Sequence, residues 1–184
     1  MFPKHTAFAP KRIPHAAMIA IVAGVLLTGC VPPDQATAEP SVAADTAAPA
    51  TSAGVTTGGD GSEIQLDELT ENDLEDAELS GELACSFSTG DTPPILFATG
   101  IVASDEPAQG VVKVSGYVER IGAPGGFGEM TDNPTFTGQG KTIRITVTGP
   151  ASGGGESPPR PATLVYERAD GASRSFDGHW QCGP

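Results

Sequence analysis

The side chains best placed to do chemistry in this 184-residue chain are few. His179 is the one histidine beyond residue 15 and so the first candidate for a general base. A base needs a nucleophile or a water held against it, and no serine, cysteine or acid motif surrounds His179 in sequence. The strand pattern described below turns it away from Trp180 and toward solvent, where a solvated imidazole is the simpler reading. Glu119, Glu129, Asp132, Glu156 and Glu167 could in principle pair for glycoside hydrolysis, but no motif links any two of them. Gly-x-Ser-x-Gly, phosphate-loop and dinucleotide signatures are missing. Cys182 has only His179 nearby as a second metal ligand, and no Cys-x-x-Cys spacing occurs. Ten carboxylates fall between Asp60 and Glu82 with no Lys or Arg among them, yet the alternating oxygens and central glycine of a calcium loop are not there. The sequence thus points to a protein with no metal or cofactor and no enzymatic activity.

The elements that would carry these residues are strands. Leu83, Cys85 and Phe87 share one face, and Val112, Val114 and Val118 share another in what reads as a single strand with Gly116 inside it. Ile143, Ile145 and Val147 alternate with Thr142, Arg144 and Thr146, the pattern of a strand covered on one side. Residues 95–102 are apolar on both parities, as in a strand covered on both faces. Asp170-Gly171 predicts a type I′ hairpin ahead of a last strand in which Phe176, Gly178, Trp180 and Cys182 share a parity. With six to eight short strands in about 100 residues, the fold class is all-β, a small antiparallel barrel or sandwich. Two long Gly/Pro-rich loops, 122–133 and 149–161, exceed ordinary connections and suggest function or motion. Pro158-Pro159-Arg160-Pro161 also has the composition of an extended left-handed helix.

Before these strands the chain changes character twice. Lys4, Lys11 and Arg12 precede an apolar run from Ala16 to Leu27, which is too short to span about 30 Å of hydrocarbon and suits a signal peptide over residues 1–29. The run ends in Leu27-Thr28-Gly29-Cys30, which resembles the lipobox of bacterial membrane lipoproteins. That resemblance implies cleavage between Gly29 and Cys30 and a diacylglycerol thioether on Cys30. One acyl chain holds a membrane only marginally, so the two or three that such a cysteine carries are what make the anchor durable. Val31 follows in place of the aspartate that retains many lipoproteins in the inner membrane. The resemblance therefore implies a lipid-anchored envelope protein, in the outer membrane facing the periplasm if the cell is Gram-negative. Residues 30–60 are Ala, Thr, Pro, Ser and Gly with hardly a large apolar side chain, and read as a disordered tether. Residues 61–81 form an acidic lead-in whose Thr70 and Asp73 have the spacing of a capping box for a short helix. The β-domain then occupies 82–184.

With Cys30 assigned to lipid, Cys85 and Cys182 remain as a pair, and in an exported compartment a disulfide is their simplest state. Strand parity supports the same pairing, since both cysteines point inward on the first and last long strands, beside Phe87 and Trp180. The two strands are then neighbours and the sheet is nearly closed.

Loss of residues 1–29 removes Lys4, Lys11 and Arg12 and no acid, taking the formal charge from −13 to −16. With no basic patch, nucleic acid is not an expected partner. The partners implied are a membrane, through lipid on Cys30, and another envelope protein, in a binding or structural role. A small exported β-domain with one terminal disulfide on a lipid anchor also resembles the membrane-bound inhibitors of c-type lysozyme, whose domain is a compact antiparallel barrel. Those inhibitors present a Ser-Gly-x-x-Tyr loop, whereas here Ser115-Gly116 runs directly into Tyr117. A small-ligand carrier is a third reading.

Overall fold

Alternation of apolar and polar residues along short strands calls for one face to be buried, against a second layer or by the sheet curling onto itself, and this chain does the latter. The computed structural model describes residues 53–184. The expected signal peptide, the expected cleavage and lipidation at Gly29 and Cys30, and the expected tether up to residue 52 lie outside the described residues. In chain order the elements are β1 Leu66–Asp67, α1 Glu71–Ala77, β2 Leu83–Ser88, β3 Leu96–Gly100, β4 Ala108–Val114 and β5 Tyr117–Ala123. They continue with α2 Phe127–Met130, β6 Thr135–Gly138, β7 Lys141–Val147, β8 Arg160–Arg168 and β9 Ser173–Gly183.

Strands β2 to β9 form an eight-stranded antiparallel barrel in the order β4-β3-β2-β9-β8-β7-β6-β5, and β4 pairs with β5 to close it. Inward residues fill the interior, with Phe87, Leu96, Phe136, Ile143, Ile145, Leu164 and Trp180 at 1% exposure or less. Phe136 meets Trp180 edge-on at 6.3 Å between ring centres, the arrangement that aromatic quadrupoles favour. Where β2 meets β9, over Ala84–Ser88 and His179–Gly183, closure leaves neither strand a free edge. There Cys85 and Cys182 are register partners and form the disulfide expected of them.

One end of the barrel, the α2 end, holds the β3–β4, β5–β6 and β7–β8 connections. The loop expected at 122–133 is mostly its plug: β5 runs on to Ala123, and α2 buries Met130 completely. The Met130 carbonyl accepts a hydrogen bond from Trp180 Nε1 at 2.9 Å.

The other end is the hairpin end, and the chain's own N-terminal segment crosses it. Ala53 and Thr57 bridge to Phe176 and Ser173, along the half of β9 that β2 does not reach. Residues 53–60 were expected to end a disordered tether, and this stretch is a correction, because the β9 edge supplies backbone partners that a chain poor in apolar residues cannot supply for itself. The segment then turns inward at Ile64, which is 2% exposed. It leaves across β4, where Leu66 pairs with Val114.

Next comes α1, capped by Thr70 and Asp73 in the reciprocal box read from the sequence. It lies outside the barrel and buries Leu69 and Ala77 on Val111, with Phe97 of β3 packed alongside. This explains why 95–102 is apolar on both parities: Leu96 and Ala98 face the barrel core and Phe97 faces the helix.

Three local expectations are corrected. The stretch 112–118 is two strands rather than one, reversed at Ser115-Gly116, where both residues hold positive φ (48° and 85°). The Asp170-Gly171 hairpin is not type I′: only Gly171 has positive φ (87°), and the Arg168 N–H reaches the Ala172 carbonyl over a longer loop. Asp170 instead uses its carboxylate to accept the Ala172 N–H at 3.0 Å. Finally, Arg160 and Pro161 belong to β8, opposite Trp180 and His179, so the Pro-rich run is in part a strand.

Candidate functional site

A rigid barrel offers function through what it holds at its surface, and three places qualify by composition. The first is the hairpin end, where the inward parity of the strands becomes charged. Lys141, with its side chain 2% exposed, pairs with Glu119 and donates to the Gly138 carbonyl at 3.1 Å. Tyr166 lies deeper, and burial followed by the nearby Glu119 charge pushes its hydroxyl pKa up.

Two arginines bind the crossing segment there. Arg168 reaches Asp60 at 2.8 Å, Ser62 at 2.8 Å and Asp170 at 2.7 Å. Arg174 donates to the carbonyls of Gly54 (2.8 Å) and Ile64 (2.5 Å) and pairs with Glu63 at 3.1 Å. Its guanidinium also lies 5.0 Å from the centre of the Phe176 ring. Hydrogen bonds from Ser62 lower the pKa of Asp60, with Arg168 adding to them. Arg168 does the same for Asp170, helped by the Ala172 N–H. Every cation here already has a carboxylate from the same chain, so this end is a latch and not an open anion site.

The second place is the tip between β4 and β5. Tyr117 is 76% exposed and Val118 39%. Two bonds from the lead-in fix the turn beneath them: the Ser115 N–H reaches the Gln65 carbonyl at 3.2 Å, and the Gly116 N–H reaches Asp67 Oδ2 at 2.6 Å. Val118, facing the opposite side of β5 from Tyr117, shares a hollow of about 250 Å³ with Asp73 and Asp76 of α1 and with Arg120. Asp73 is held at a pKa of about 2 by the Thr70 N–H first and by Lys113 next, so it carries full charge near neutrality. Sequence reasoning put Tyr117 inside a strand, and it is the first residue of β5, but the reversal at Ser115-Gly116 that makes it a tip was missed. The missed signal is Ser-Gly flanked by two residues of strand character on each side.

The third place is the outer face of β2 and β9. Ser86 lies opposite Gln181, and Ser88 lies opposite His179. The loop expected at 149–161 stands over this face and is joined to it where Gln181 Nε2 donates to the Ser157 carbonyl at 2.8 Å. The groove between them, of about 450 Å³, is lined by Ser86, Ser88, Asp91, His179 and Gln181, with Ser152 and Pro159 from the loop. His179 faces outward as parity requires and is half-covered. Serine, histidine and aspartate thus meet in one groove, a meeting invisible in the sequence because Ser88 and His179 come from opposite ends of the domain. Among the described residues no hydrogen bond links His179 to Ser88 or Asp91, so the contact that activates a nucleophile is not made.

The disulfide Cys85–Cys182 lies on the other side of the same two strands, with Cys85 1% exposed. Among the described residues no three His, Cys, Asp or Glu side chains gather as a metal site. No family model, curated protein or solved structure matches this chain.

Proposed function

We propose that this is a lipid-anchored binding module of the cell envelope, held through Cys30, that engages a basic protein partner at the β4–β5 tip. The observation that carries the reading is Tyr117. A large amphipathic ring held 76% exposed on a braced two-residue turn is preorganised to serve as an interface anchor, a role in which tyrosine is enriched. The acidic lead-in, ten carboxylates between Asp60 and Glu82 with no lysine or arginine among them, favours a positively charged partner and speeds its approach. The packed interior, with Trp180, Phe87 and Phe136 in it, speaks against a small-ligand carrier. The same tip, Ser115-Gly116-Tyr117, favours inhibition of a basic c-type lysozyme as the second reading.

The test is binding and inhibition of a c-type lysozyme by the full chain, since a fragment beginning at residue 60 would lack the bridges of Ala53 and Thr57 to β9. The inhibitor reading expects salt-sensitive binding that weakens at least about tenfold in Tyr117→Ala, the scale of one interface anchor. If lysozyme does not bind, a photo-crosslinking residue at position 117 should still join a basic envelope protein in intact cells. Failure of both in folded protein rejects the tip as a binding site.

A further inference from the structure

The groove over β2 and β9 is separate from the Tyr117 tip and has a chemistry of its own. Its floor is a grid. Ser86 and Gln181 form one cross-strand pair, Ser88 and His179 the next. Partners across an antiparallel ladder have Cβ atoms about 5 Å apart, and successive outward positions on one strand are about 7 Å apart. Four side chains able to donate or accept therefore stand at the corners of a small rectangle. Asp91 and the loop residues Ser152 and Pro159 rise at its sides. Gln181 and Ser152 bond to loop carbonyls. Among the described residues, Ser86 Oγ, Ser88 Oγ, the Asp91 carboxylate and the His179 ring make no hydrogen bond to another protein group, so their bonding capacity faces the groove.

The lining decides what could fill it. No lysine or arginine takes part and Asp91 is acidic, so phosphate and carboxylate ligands are disfavoured. Proline is the largest apolar surface present, too little for an acyl chain or an aromatic ring. Asp91 and His179 alone fall short of the six or more oxygens of calcium or the four ligands of zinc. A peptide adding as a strand needs a free edge, and β2 and β9 are already paired with each other here. What remains is a neutral molecule rich in hydroxyls, in which each hydroxyl both donates and accepts, as the serines and the imidazole do.

We propose that this groove binds a neutral oligosaccharide, one to two sugar rings lying across Ser86, Ser88, His179 and Gln181 under the loop of Ser152 and Pro159. Without an aromatic platform the affinity is modest, with Kd on the order of 1 mM. For a protein anchored in an envelope, such a site would give reversible contact with surrounding glycan and not permanent attachment.

The experiment titrates the ¹⁵N-labelled full chain with N-acetylglucosamine tetrasaccharide, and separately with maltotetraose, in a detergent whose headgroup is not a sugar. The proposal expects saturable shifts of the amides of Ser86, Ser88, Gly90, His179 and Gln181 with at least one of the two. It also expects a galacturonate oligomer to bind more weakly because of Asp91. Ser88→Ala combined with His179→Ala removes two hydrogen-bonding groups from the surface and should weaken binding about tenfold or more, with the Trp180 indole signal unchanged. No saturation by either sugar, shifts confined to other surfaces, or equal binding by the double variant would overturn the proposal. None of these outcomes bears on binding through Tyr117.

Discussion

The two ends of the barrel are closed by different physics. At the α2 end the plug is apolar: Met130 is fully buried, its carbonyl is bound by Trp180, and the Cys85–Cys182 bond joins the strands nearby. At the hairpin end the closing segment from Ala53 to Asp67 brings one fully buried apolar residue, Ile64, and is held besides by backbone bridges to β9 and β4 and by Arg168 and Arg174 through carboxylates and backbone carbonyls. Apolar contact and a covalent bond respond little to acid, whereas ion pairs respond to it directly. The contrast assigns permanence to one end and conditional closure to the end that residues 53–67 cross.

Three measurements would break or sharpen this contrast. The largest effect belongs to the α2 end: Cys85→Ala with Cys182→Ala should lower the unfolding free energy by about 2–5 kcal/mol, read from urea denaturation. A loss below about 1 kcal/mol would mean that the packing there closes the barrel unaided. A smaller effect is expected from Arg174→Ala, which leaves the Ile64 and Gly54 carbonyls without their donor and should cost about 1–3 kcal/mol. Its mark is location, since the amide signals of Thr57 and Ile64 should move while the Trp180 indole stays in place. Equal disturbance at both ends would merge them into one cooperative unit.

The smallest effect is a response to pH. The folded pKa values of Asp60 and Asp170 lie below the ordinary 3.8, so the stabilisation they give is present above that value. It is lost as the pH falls through their folded values. Acidification below about pH 4 should therefore loosen residues 53–64 before it disturbs Met130 or Trp180, as seen in the NMR signals of the two ends. Simultaneous loss would show that the arginine contacts do not hold the segment by charge.

Much of the barrel wall was legible because parity and chemistry converged on the same residues. Cys85 and Cys182 had to face inward to bond, Phe87 and Trp180 had to face inward to be buried, and the two demands agree in register. The capping box at Thr70 and Asp73 was legible because it is local. The β4–β5 reversal was not, because Val112, Val114 and Val118 keep one parity in the sequence while the two-residue turn sends Val118 outward. The closing segment was illegible for a deeper reason. Nothing between residues 53 and 60 is apolar enough to announce order, and its partners, Ser173 to Phe176, lie more than a hundred residues away. Of the surface sites, Tyr117 was visible as a residue but not as a tip, and the groove exists only once β2 and β9 are neighbours.

That neighbourhood also sets an order of events. The β2–β3, β4–β5 and β8–β9 pairings are local and can form as soon as their own residues are available. The contact that turns a curled sheet into a barrel joins strands whose cysteines are 97 residues apart, so closure cannot precede the arrival of β9. Long-range pairing of this kind is slow, and until it is complete both strands present bare edges able to pair with other chains. Oxidation of the two thiols is then a ratchet on that last step, making a late and reversible meeting of strands irreversible.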